Sequence, residues 1–127
     1  MKLVALIPLI PLAACGPSVP LAEDFIPDYR RIETTRLSAE IVQVEVEMTN
    51  ALTAENVKDY GDCAAAGYAL SIDGGYARHL RTKVDEDSGV WTADAVYTIS
   101  RDRPSGLEVI DAEQQVENCA TRGIPTV

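Results

Sequence analysis

His79 is the only histidine in 127 residues, and therefore the only side chain that ordinarily takes up and releases a proton near neutral pH. It falls in an extended segment between Arg78 and Arg81. As a general base it needs an orienting carboxylate and a reacting group, and no spacing around it supplies either. The serines nearest to folded segments, Ser38, Ser71, Ser88, Ser100 and Ser105, include no Gly-X-Ser-X-Gly turn to expose a nucleophile. Asp85, Glu86 and Asp87 crowd three carboxylates together, a set that a hard cation such as Ca²⁺ accepts. The EF-hand spacing fails, because Gly89 stands where an oxygen ligand is needed and no Glu occupies the twelfth position. The acidic run reads as turn chemistry instead. Gly74-Gly75 precedes neither Lys-Ser/Thr nor a helix start, so it is no phosphate loop. The sequence thus assigns no catalytic residue, no metal ligand and no cofactor.

The remaining reactive residues are Cys15, Cys63 and Cys119. Met1-Lys2 gives a short positive start, Leu3 to Leu12 is apolar but broken by Pro8 and Pro11, and Ala13-Ala14 precede Cys15. That is the layout of a secretory signal, too short for a membrane span. Leu12-Ala13-Ala14-Cys15 followed by Gly16 resembles the lipobox of bacterial lipoproteins. The resemblance implies removal of residues 1–14, a diacylglycerol on the Cys15 thiol and acylation of the new amino terminus. Several acyl chains together anchor stably where one holds only marginally. In this family an Asp after the modified Cys commonly retains the protein in the inner membrane. Gly16 stands there, which implies the periplasmic face of the outer membrane and the membrane as a partner through Cys15.

With Cys15 given to lipid, Cys63 and Cys119 form an even pair in an exported domain, each expected within a helix, and read as one structural disulfide. A redox pair would show Cys-X-X-Cys spacing, which is absent, and buried free thiols are the other alternative.

The elements that must hold these residues follow from periodicity. Val42, Val44, Val46 and Met48 alternate with Gln43, Glu45 and Glu47, which marks a strand with one buried face. Thr53 with Glu55 behind it resembles a helix start, and Val57, Tyr60, Ala64, Ala65 and Tyr68 recur at three- and four-residue spacings. Asp73-Gly74-Gly75 precedes a strand over roughly 76–84. The acidic turn leads into another over roughly 90–100, with Trp91, Ala93, Ala95, Tyr97 and Ile99 on one face. Residues 107–110 offer a short edge strand. Asp111 to Gln114 fits a capping box opening a second helix, which Gly123 and Pro125 end. The order β-α-β-β-(β)-α predicts an α+β fold, a mostly antiparallel sheet of three to four strands with two helices on one face. Residues 15–36, rich in Pro up to Pro27, read as the lipidated Cys and an extended tether, and 37–127 as a single domain.

Composition narrows the function. Net charge is −9, or −10 once Lys2 leaves with the leader, and so acidic a chain lacks the phosphate-neutralising surface that nucleic acids require. The sheet face away from the helices is expected to carry Glu45, Glu47, Arg81, Lys83 and Asp94, either a recognition surface or a solvated one. In the second strand, alternation places Tyr76, Arg78, Leu80 and Val84 inward and His79 outward. The expectation is a non-enzymatic, lipid-anchored envelope module that contacts another envelope protein. The alternative is a small-ligand binder or accessory enzyme with a pocket between helices and sheet, lined by Tyr60, Tyr68, Trp91 and Tyr97.

Overall fold

A computed structural model describes residues 25–127. Within them the chain runs β1 (Asp28–Arg36), β2 (Ile41–Thr49), α1 (Ala54–Ser71), β3 (Tyr76–Asp87), β4 (Val90–Ser100), β5 (Val109–Asp111) and α2 (Ala112–Thr121). The strands form one sheet in the order β1-β2-β4-β3-β5, with every neighbouring pair antiparallel. The expected α+β fold is present, with five strands rather than three to four.

The middle of the sheet follows from strict alternation. Val42, Val44, Val46 and Met48 lie directly opposite Tyr97, Ala95, Ala93 and Trp91, so one face of the β2–β4 pair is continuously apolar. The four β2 residues are at most 1% exposed. α1 seals this face with Val57 and Tyr60, and with Ala64, Ala65, Ala66 and Ala69, whose short side chains let the helix lie close on the strands. Its first turn is closed by Asn56, whose side-chain oxygen accepts from the backbone N–H groups of Leu52 and Thr53 at 2.8 and 3.1 Å.

α2 packs against α1 and the β5 end of the sheet. Asp111 caps it, accepting from Gln114 N–H at 3.1 Å. It ends with Gly123 at φ +70°. There the N–H of Ile124 reaches the Cys119 carbonyl at 2.9 Å and that of Gly123 the Ala120 carbonyl, the Schellman arrangement that turns Ile124 back into the core. Cys63 of α1 and Cys119 of α2 are joined in the expected disulfide, with Cα atoms 6.0 Å apart and both side chains fully buried. The β3–β4 hairpin turns on Ser88 and Gly89, at φ +52° and +84°, the doubly positive geometry that matches strand twist.

Two expectations need correction. Residues 28–36, assigned to the tether, form strand β1, so the folded domain begins before residue 37. A register shift between Tyr29 and Arg31 inserts an extra residue, placing Tyr29 and Ile32 on the same face three positions apart. That spacing hides the strand from a period-two reading. The same device operates in β3, where the shift lies between His79 and Arg81. Ala77, His79, Thr82 and Val84 therefore point towards the helices, and Leu80 is left 41% exposed. Among the described residues no helix is long and apolar enough to cross a membrane. Residues 1–14 and Cys15 lie outside the described residues.

Candidate functional site

The sheet face away from α1 brings Glu45, Glu47, Arg81, Lys83 and Asp94 together. Across β1, β2, β4 and β3, the directly opposed residues run Glu33, Glu45, Asp94, Lys83. The adjoining row runs Arg31, Glu47, Thr92, Asp85. Like charges directly opposite one another oppose pairing. Asp94 is compensated by Gln43, whose Nε2 donates at 3.0 Å, and by the Arg81 guanidinium at 3.5 Å. Glu33 is compensated by Arg31 at 2.6 Å. Glu45 and Glu47 make no hydrogen bond or ion pair with the described residues, although both are half-buried between neighbouring strands. Lys83 stands at the far end of the row, likewise unpaired. Val96 is 8% exposed in the midst of this polar face.

On the helix side, a cleft of about 470 Å³ opens between α1, β3 and the start of β5. α1 contributes Glu55, Lys58, Asp59 and Asp62, β3 contributes His79 and Thr82, and the β5 segment contributes Glu108, Val109 and Ile110. The lining expected from sequence is not formed, because Tyr60 and Tyr97 are buried core residues and neither Tyr68 nor Trp91 reaches the cleft. The bulge at Leu80 explains what replaces them: it turns His79, expected outward, into the cleft, edge-on to Tyr97 with ring centroids 5.5 Å apart. His79 Nδ1 lies 3.0 Å from the Glu108 carboxylate and Nε2 2.5 Å from Thr82 Oγ1. The carboxylate and hydroxyl that spacing around His79 did not reveal are thus supplied by a distant loop and by a bulged strand.

Tyr97 links cleft and core. Its hydroxyl donates to Asp62 Oδ1 at 2.6 Å. Burial, reinforced by the Asp62 charge, pushes the phenol far above its ordinary range, so it keeps the proton it donates to Asp62. Burial likewise holds the Asp62 carboxyl above its ordinary 3.8, while the Tyr97 hydroxyl and His79 pull it back. A carboxyl with a raised folded value stabilises the fold below its unfolded value, and that contribution is lost as pH rises through the folded value. Asp62→Asn keeps an acceptor for Tyr97 and removes the charge. The melting temperature of the variant relative to wild type is therefore expected to rise between pH 4 and pH 7, as thermal unfolding in matched buffers will show. A difference that is flat with pH contradicts the assignment.

The other candidates sit as follows. Asp85, Glu86 and Asp87 end β3, with Asp85 accepting from the Glu86 N–H and Glu86 from the Gly89 N–H of the turn. Among the described residues, no three His, Cys, Asp or Glu side chains are grouped so as to hold a metal ion.

Fold and disulfide together define a small α+β domain, a five-stranded antiparallel sheet clipped helix to helix, with one sheet face open. Residues 29–123 match the YNQ4 C-terminal domain, and the chain belongs to that family. It is also similar to an uncharacterised 26.9 kDa protein in the nqo8 5′ region of Paracoccus denitrificans, with 34% identity over 85 residues. That match covers 67% of this chain and 33% of the relative, so the chain spans about a third of the length of the curated relative it matches. No solved structure matches it.

Proposed function

We propose that this chain is a lipid-anchored module at the periplasmic face of a bacterial outer membrane, docking a basic surface of another envelope protein on its open sheet face. The lipobox-like Leu12-Ala13-Ala14-Cys15 supports the anchor. The observation that carries the docking reading is the position of Glu45, unpaired between Glu33 on one neighbouring strand and Asp94 on the other. A fold selected only for stability gains nothing from three carboxylates in one cross-strand row. A lysine or arginine from a partner, set over Glu45 and Glu47, relieves that repulsion and is steered in by it.

The test exploits the conflict between stability and docking. Glu45→Lys places an ammonium between Glu33 and Asp94 and is expected to stabilise the isolated domain by about 0.2–1 kcal/mol for each opposite-charge pair gained. Combined with Glu47→Lys, it is expected to reduce partner capture by crosslinking in intact cells about tenfold or more, the cost of placing like charges across an interface. Equal capture by wild type and the double variant contradicts the proposal.

A further inference from the structure

Two backbone irregularities, far apart in sequence, converge on one imidazole. The extra residue at Leu80 puts His79 and Thr82 on the same side of β3, opposite Tyr97 and Ala95 respectively, where unbroken alternation would set them on opposite faces. Glu108 sits at φ +57°, a backbone region that side-chain-bearing residues enter at a cost. In that conformation Glu108 holds His79 twice: its carbonyl accepts the His79 backbone N–H at 3.1 Å, and its carboxylate meets Nδ1 at 3.0 Å. With the Glu108 carboxylate as acceptor, the neutral imidazole carries its proton on Nδ1 and turns its Nε2 lone pair to Thr82 Oγ1 at 2.5 Å. The Thr82 hydroxyl then donates to Nε2. This is the order of groups that activates a hydroxyl: nucleophile, base, and a carboxylate orienting the base.

We propose that Thr82, His79 and Glu108 form an acyl-transfer site for small neutral or cationic carboxylic esters. The cleft is of ligand size, and the carboxylates of Glu55, Asp59 and Asp62 on its α1 wall disfavour an anionic substrate. Lys58, ion-paired with Glu55 at 3.5 Å, is the one lysine or arginine among the lining residues. Thr82 Oγ adds to the ester carbonyl as its proton passes to His79 Nε2. The bond to the leaving alcohol oxygen breaks, and His79 returns the proton to that oxygen. Water then attacks the acyl-threonine, one of its protons passes through His79 to Thr82 Oγ, and the carboxylic acid leaves. Thr82 and His79 are the catalytic residues; Glu108 is a positioning residue. The site lies on the opposite side of the sheet from Glu45 and Glu47 and is independent of docking there.

The test incubates the purified chain with p-nitrophenyl acetate, following p-nitrophenol release and mapping the acetyl group by peptide mass spectrometry. Acetyl on the Thr82 peptide is expected. Thr82→Ala and His79→Gln are each expected to lower turnover by about 10²-fold or more, and Thr82→Ser to retain it within about tenfold. Glu108→Gln is expected to lower kcat with little change in KM, the signature of a misoriented base rather than a lost binding contact. The Glu45→Lys, Glu47→Lys double variant is expected to match wild type, so failure of the docking proposal leaves this result unaffected. Acetyl found only on lysines or on the amino terminus of wild type, or turnover unchanged in Thr82→Ala, overturns the site. Because mapping is read on wild type and on Thr82→Ser, a misfolded Thr82→Ala does not spare it.

Discussion

Replacing both Cys63 and Cys119 by alanine is expected to cost about 4 kcal/mol, the loop-closure term for cysteines 56 residues apart. For a domain of this size that corresponds to a fall in melting temperature of about 15–30 °C. The reason for so large a share lies in α2. Of its ten residues only Ala112 and Cys119 are buried, and a helix that short is marginal without tertiary contacts. The bridge is thus the principal tie between α2 and the core, and through α2 it secures Ile124, which the Schellman turn folds inward. Hydrogen exchange of the variant is therefore expected to show α2 opening at lower free energy than β2 and β4. Chemical denaturation of the oxidised wild type against the double variant gives the first number. A loss under about 1 kcal/mol would sink the view that the bridge supplies a major fraction of the domain's stability.

How much of this was legible in the sequence depended on whether a strand was bulged. β2 and β4 run unbroken, and their alternation gave the core face, the open face and the places of Glu45, Glu47 and Asp94. The helix starts at Thr53 and Asp111 were equally local signals, and the disulfide followed from the even pair of cysteines left once Cys15 was set aside. β1 and β3 each carry one extra residue, so Tyr29 and Ile32, or His79 and Thr82, face together at a spacing of three. A period-two template reads that spacing as irregular in β1, and in β3 it assigns the wrong face to everything before Arg81. Arg81 and Lys83, beyond the bulge, still point away from the helices as expected, because the pairing with Val96 and Asp94 resumes its phase there. The approach of Glu108 to His79 spans 29 residues and rests on a left-handed backbone that no local pattern around Gly106-Leu107-Glu108 demanded. The chemistry of the cleft was invisible for the same reason that its geometry is specific: it is assembled by departures from regularity.

Tyr97 is the residue on which core and cleft depend together, and its variants separate the two contributions. Tyr97→Ala empties a fully buried site beneath α1 and is expected to cost about 3–5 kcal/mol, as large aromatic truncations do. Tyr97→Phe keeps the volume and removes only the hydroxyl that donates to Asp62 at 2.6 Å, a loss of about 1.5–3 kcal/mol when the acceptor is a charged carboxylate. The second cost has a pH signature that the first lacks. The hydroxyl lowers the Asp62 value that burial raises, so removing it lifts the folded value further from the unfolded one. Below the ordinary carboxylate range Asp62 is protonated in both folded and unfolded chains and the charged bond is absent from the comparison. As pH rises through the Asp62 titration, the phenylalanine variant must ionise a half-buried group with no donor and falls progressively behind wild type. Denaturant unfolding at pH 4 and pH 7 is expected to show a penalty for Tyr97→Phe that grows with pH. In an Asp62→Asn background that pH dependence should vanish, while the penalty of Tyr97→Ala keeps its cavity component in both. A penalty for Tyr97→Phe that is independent of pH and persists unchanged in the Asp62→Asn background would mean that the hydroxyl stabilises the core by some contact other than the one to Asp62.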